Sequence, residues 1–119
     1  MPVKRLPIAA LAVCSCLLLP RLAFAHAHLL SSAPAANATV PGPDIAIDLK
    51  FNSRVETKGS MITLVLAGGQ TQRLTLDSQS NETNLDAHTH LKPGSYTLRW
   101  QALSTDGHIT RGEIPFAVR

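Results

Sequence analysis

Ile45-Ala46-Ile47-Asp48-Leu49-Lys50-Phe51 sets an apolar side chain at every second position, with Ala46, Asp48 and Lys50 between them. Side chains on a strand alternate between its two faces, so this stretch reads as a strand with one buried and one solvated face. Downstream, Met61-Ile62-Thr63-Leu64-Val65-Leu66 leads through Ala67-Gly68-Gly69-Gln70 into the alternating Thr71 to Leu76, which reads as a hairpin closed by Gly68-Gly69. Pro93-Gly94 opens a further strand in which Tyr96, Leu98 and Trp100 share a face, and Glu113 to Val118 puts Ile114, Phe116 and Val118 on one side. With a first strand near His28 to Ser32 and a weak one near Thr83 to Leu85, the pattern predicts about seven short strands. Turn signals separate them and no stretch of helical period competes, so the fold class expected is all-β, a small Greek-key sandwich. Pro34, Pro41 and Pro43 are expected in a loop after the first strand, where they remove no ladder hydrogen bond.

The chain has 119 residues, 45% hydrophobic, 4% aromatic and 16% charged, enough for one small domain. Its formal net charge of +3 resides at the start, in Lys4, Arg5 and Arg21, because the remaining Lys and Arg balance the 8 Asp and Glu. A basic face for nucleic acid or an anionic membrane is therefore not expected. The same start has the three parts of a secretory signal peptide: basic Met1 to Arg5, apolar Ile8 to Leu19 and the A-x-A site Ala23-Phe24-Ala25. The apolar run falls short of the roughly 20 residues that span a bilayer. The expectation is cleavage of residues 1–25, leaving a soluble, exported domain at 26–119. Cys14 and Cys16 would leave with the signal, and Val13 before Cys14 argues against a lipidated cysteine. Any metal on the mature domain would then be held by nitrogen, oxygen or thioether groups.

Cleavage after Ala25 makes His26 the first residue, where a free α-amine and the imidazole Nδ1 close a chelate ring on one ion. Ser104-Thr105-Asp106-Gly107-His108 offers a second pair: in an extended segment Asp106 and His108, two apart, point to the same side. Each feature has a plain reading, since any residue follows an A-x-A site and Asp-Gly is a common turn dipeptide. Together they supply three nitrogens and one carboxylate oxygen, a set suited to the tetragonal preference of Cu(II), with tetrahedral zinc the other option.

His26-Ala27-His28-Leu29 with Ser31-Ser32-Ala33-Pro34, then Pro93-Gly94-Ser95-Tyr96-Thr97-Leu98-Arg99-Trp100, then Ser104 to His108 with Gly112 and Phe116, resemble the CopC family of periplasmic copper-resistance proteins. The resemblance implies an immunoglobulin-like β-sandwich that binds Cu(II) through the terminal histidine, an aspartate and a histidine, here His26, Asp106 and His108. It implies a periplasmic carrier, scavenger or buffer of copper and no enzymatic activity. Its partners would be the copper ion and a copper-transporting inner-membrane protein, and a monomer is expected. Two other classes compete: a mononuclear copper oxidase or monooxygenase with a histidine brace, and a metal-free immunoglobulin-like adhesion module.

Some members of the family hold Cu(I) in a methionine-rich loop. Here the one methionine beyond the signal is Met61, which sits in an apolar strand pattern and reads as core, so no such site is expected. Asn52-Ser53-Arg54-Val55-Glu56 lacks the acidic-proline pair of many relatives. His28 is an accessory candidate, because a free X-X-His terminus wraps Cu(II) with its amine, two ionised amides and the third imidazole. His88 and His90 share a side, but with loop-like flanks and no acidic partner fixed nearby they read as solvated, a weak accessory site being the sharper option. Asn37-Ala38-Thr39 and Asn81-Glu82-Thr83 match the glycosylation pattern, which means little in a bacterial host.

Overall fold

A computed structural model describes residues 26–119 as eight strands in two sheets. The expected signal peptide, with Cys14 and Cys16, lies outside the described residues. The strands are β1 (Leu29–Ala33), β2 (Thr39–Val40), β3 (Asp44–Phe51), β4 (Val55–Val65), β5 (Thr71–Leu74), β6 (Asn84–His90), β7 (Gly94–Ser104) and β8 (Ile109–Val118). One sheet has the order β1-β3-β6 and the other β2-β8-β7-β4-β5. The chain crosses between the sheets at β1–β2, β2–β3, β3–β4, β5–β6 and β6–β7, which makes a sandwich of the two. Among the described residues no helix is long and apolar enough to cross a membrane.

The alternation in β3 does what its period requires. Ile45, Ile47, Leu49 and Phe51 are buried, while Asp44, Ala46, Asp48 and Lys50 are exposed. From the other sheet Ile62, Leu64, Leu98, Trp100, Ile114, Phe116 and Val118 complete the core. Phe51 and Trp100 meet edge to face with ring centroids 5.2 Å apart, the geometry their quadrupoles favour. The Trp100 ring lies over Gly112, its register partner on β8, where an added Cβ would fall 2.5 Å from Cζ2. Leu66 N–H donates to the Gln70 carbonyl and closes the β4–β5 turn around Gly68 and Gly69, with Gly69 at φ 86°.

Four expectations need correction. The weak strand near Thr83 to Leu85 runs on to His90, so His88 and His90 stand on a strand and not on loop flanks. Its inward residues include only Leu85 and the small Ala87 as apolar side chains, which left the run too polar to read as a strand. The proline-rich stretch is not all loop: Thr39 and Val40 pair in parallel with Ala117 and Val118 of β8, which raises the strand number to eight. Met61 is not core. It is half-buried between the buried Ser60 and Ile62 and therefore takes the outer face of β4. Lastly, Asp106 and His108 are on a turn between β7 and β8, not in an extended segment.

Candidate metal centre

β7 and β8 form the longest antiparallel pair, in register from Gly94–Val118 to Leu103–Ile109, and Thr105 to His108 cap it. Ser104 N–H donates to the His108 carbonyl at 2.9 Å, and Gly107 N–H donates back to the Ser104 carbonyl at 2.9 Å. Gly107 at φ 91° makes this closure possible without strain, since a residue with a Cβ avoids that region. The turn thus brings Asp106 and His108 together by curvature, where the strand spacing had been expected to do so.

Asp106 is fully engaged. Its Oδ1 accepts the Ser104 hydroxyl and, at 3.3 Å, the His108 N–H, while its Oδ2 faces His108 Nδ1 at 2.8 Å. These donors, the Ser104 hydroxyl first, hold the carboxyl at about 2, well below its ordinary value. A ring nitrogen facing a carboxylate carries the proton, so His108 keeps the lone pair of Nε2 free for an ion.

The start of the described chain is drawn to the same place. Ala27 is buried, and its carbonyl accepts the Thr110 hydroxyl at 2.8 Å. His28 N–H donates to Asn52 Oδ1 at 2.8 Å, and Asn52 N–H returns a bond to the His28 carbonyl at 3.0 Å. With residues 27 and 28 pinned, the His26 ring stands edge to face with the His108 ring, centroids 4.5 Å apart. His28 is farther from His26, at 6.5 Å. Two imidazoles are therefore adjacent, with Asp106 directed at His108. Among the described residues no set of three His, Cys, Asp or Glu groups converges closely enough to hold an ion.

His88 and His90 are apart from this site, and each has an acidic partner that spacing along the sequence did not fix. His88 Nδ1 pairs with Asp77 Oδ2, and His90 Nδ1 with Asp44 Oδ1 at 2.9 Å. Asp44 is the register partner of His90 on β3, a relation set by sheet pairing across a long stretch of sequence.

A family model described as the CopC domain matches residues 29–119, nearly the whole sandwich. The chain belongs to the CopC family. The matched span includes Asp106 and His108, while His26 and His28 precede it. Among relatives, Protein YobA of Escherichia coli (strain K12) is 38% identical over 118 residues, covering 92% of each chain. Among solved structures, CopC from Methylosinus trichosporium OB3b is 28% identical with a TM-score of 0.69, over 78% of this chain and 93% of that one. PcoC from Escherichia coli, a methionine rich copper resistance protein, is 25% identical with a TM-score of 0.69, over 80% of this chain and 100% of its own. The fold of this CopC-family chain thus agrees with theirs, and its Met61 on the outside of β4 is the one methionine among the described residues.

Proposed function

We propose that this CopC-family chain is a periplasmic Cu(II) carrier, scavenger or buffer. On this reading residues 1–25 are removed as a signal peptide and the ion is held by the His26 α-amine and Nδ1, His108 Nε2 and the Asp106 carboxylate. The supporting observation is the approach of the His26 and His108 rings to 4.5 Å at the tip of the β7–β8 hairpin. In that arrangement Asp106 orients His108 and needs a rotation of its side chain to enter the coordination sphere. Three nitrogens and a carboxylate favour Cu(II), which also leads the divalent affinity order. A set that fills four equatorial positions leaves no strongly bound place for dioxygen or substrate, which favours a carrier over an oxidase.

The competing X-X-His mode requires the amides of Ala27 and His28 to ionise and bind the metal. The His28 amide is already committed to Asn52 Oδ1, and Ala27 is buried against β8, so this mode would dismantle the start of β1. Cu(I) is expected to bind weakly, because one thioether and no thiol would remain on the processed chain.

The test compares protein beginning at His26 with the same protein acetylated at its α-amine, which converts that amine to an amide and leaves no other terminal amine. The chain beginning at His26 is expected to take up one Cu(II) with an axial spectrum and to gain thermal stability with added copper. The acetylated chain should fold equally well and lose most of that affinity. Equal affinity would remove the terminal amine from the site. A parent spectrum retained by His108→Ala but lost in His28→Ala would replace this reading with the X-X-His mode.

A further inference from the structure

On β6, His88 and His90 alternate with Ala87 and Thr89 and so share the outer face of the three-stranded sheet. Across from them on β3, Ala46 is the register partner of His88 and Asp44 that of His90. The small Ala46 leaves an open groove of about 420 Å³ lined by Asp44, Ile45, Ala46, His88, Thr89 and His90. The His88 and His90 side chains are 74% and 72% exposed, so an ion reaches them without any opening of the fold.

The two rings are prepared in the same way. Each turns its Nδ1 to a carboxylate, His88 to Asp77 and His90 to Asp44. A carboxylate on one ring nitrogen fixes the proton there and makes the other nitrogen a better donor, the arrangement seen behind metal-bound imidazoles. Ion pairs this exposed contribute little to stability. Asp48 and Asp86, register partners farther along the same face, add negative charge that favours a cation. Positions two apart on a strand are about 6.6 Å apart along it, near enough for two imidazole arms to reach one ion from one side.

We propose that His88 and His90, through Nε2, form a second divalent-metal site on the outer face of β6, with Asp77 and Asp44 as positioning residues and water completing the coordination. The ligand class is a borderline cation that prefers imidazole, Cu(II) before Zn(II). Strand β3 connects the two sites: Asn52, bonded to His28, follows its end, and Asp44 begins it, so they lie about 26 Å apart. The second site needs neither the terminal amine nor Asp106, and it stands or falls independently of the first.

The experiment uses the chain beginning at residue 26 with His26→Ala, His28→Ala, Asp106→Ala and His108→Ala, titrated with Cu(II) alone. One ion per chain is expected, with affinity falling about tenfold or more in His88→Ala or His90→Ala and about tenfold in Asp44→Asn. Both histidines are exposed, so the variants should retain the circular dichroism of the parent. As a check without substitution, Zn(II) added to the unaltered chain should shift the Nε2 resonances of His88 and His90 and leave their Nδ1 protonated. No binding in the titration, binding unaffected by loss of both histidines, or unmoved ring resonances would each overturn the second site.

Discussion

Asp106 has acquired its properties from its neighbours. Its carboxyl lies at about 2 because the Ser104 hydroxyl and the His108 ring and amide all favour the ionised form. A folded-state value below the ordinary 3.8 adds stability above that pH, and this is lost as the pH falls toward about 2. Asp48 has the opposite sign: although its side chain is exposed, partial loss of water on the sheet face first, then Asp86 beside it, raises its carboxyl, so its contribution is present below 3.8 and lost as pH rises through the raised value. Two outcomes are expected of metal-free protein followed by thermal melting. Asp106→Asn should lower the melting temperature at neutral pH and narrow its difference from the parent near pH 2. Asp48→Asn should raise the melting temperature at neutral pH and do little near pH 3, since its amide oxygen still accepts from Asn84 Nδ2. In the metal titration, His108→Ala is expected to cost about tenfold or more in Cu(II) affinity, and all binding should weaken in acid, because imidazole and amine bind metal only after losing a proton.

At the scale of elements, β3, β7 and β8 were legible because a buried face against a solvated one imposes a period of two, and their apolar residues are large. β6 was not, because Leu85 and the small Ala87 are its only apolar inward side chains, and Asn84 on the other face is buried through its bond to Asp48 Oδ1. The Asp-Gly turn was recognised but its consequence was not: Asp106 and His108 meet because Gly107 takes φ 91° and curls the chain. The carboxylate partners of His88 and His90 were illegible, since Asp44 is fixed opposite His90 by strand register and not by spacing. Packing at the β7–β8 pair carries a sharp prediction. Gly112→Ala would drive a methyl into the Trp100 ring, so a loss of about 1–3 kcal/mol is expected from denaturant unfolding, with the tryptophan fluorescence altered. An unchanged midpoint would mean that the ring moves aside freely.

For the molecule as a whole, the two halves of the proposed copper site come from opposite ends of the described chain. Asp106 and His108 are two residues apart on a hairpin, whereas the Thr110 hydroxyl and the Ala27 carbonyl that anchor the first segment are 83 apart. Hairpins zip in roughly 1–10 microseconds, while contacts so distant in sequence wait on the rest of the chain. The hairpin tip should therefore be in place early in refolding and His26 should dock late, although it is synthesised first. Opening would run in reverse, with the amides around His28 exchanging with solvent sooner than those of Leu98 and Ile114 in the core. Timed samples taken during refolding should accordingly regain the fluorescence of Trp100 before they regain the power to take up copper, so that uptake works as a clock for the final step of folding.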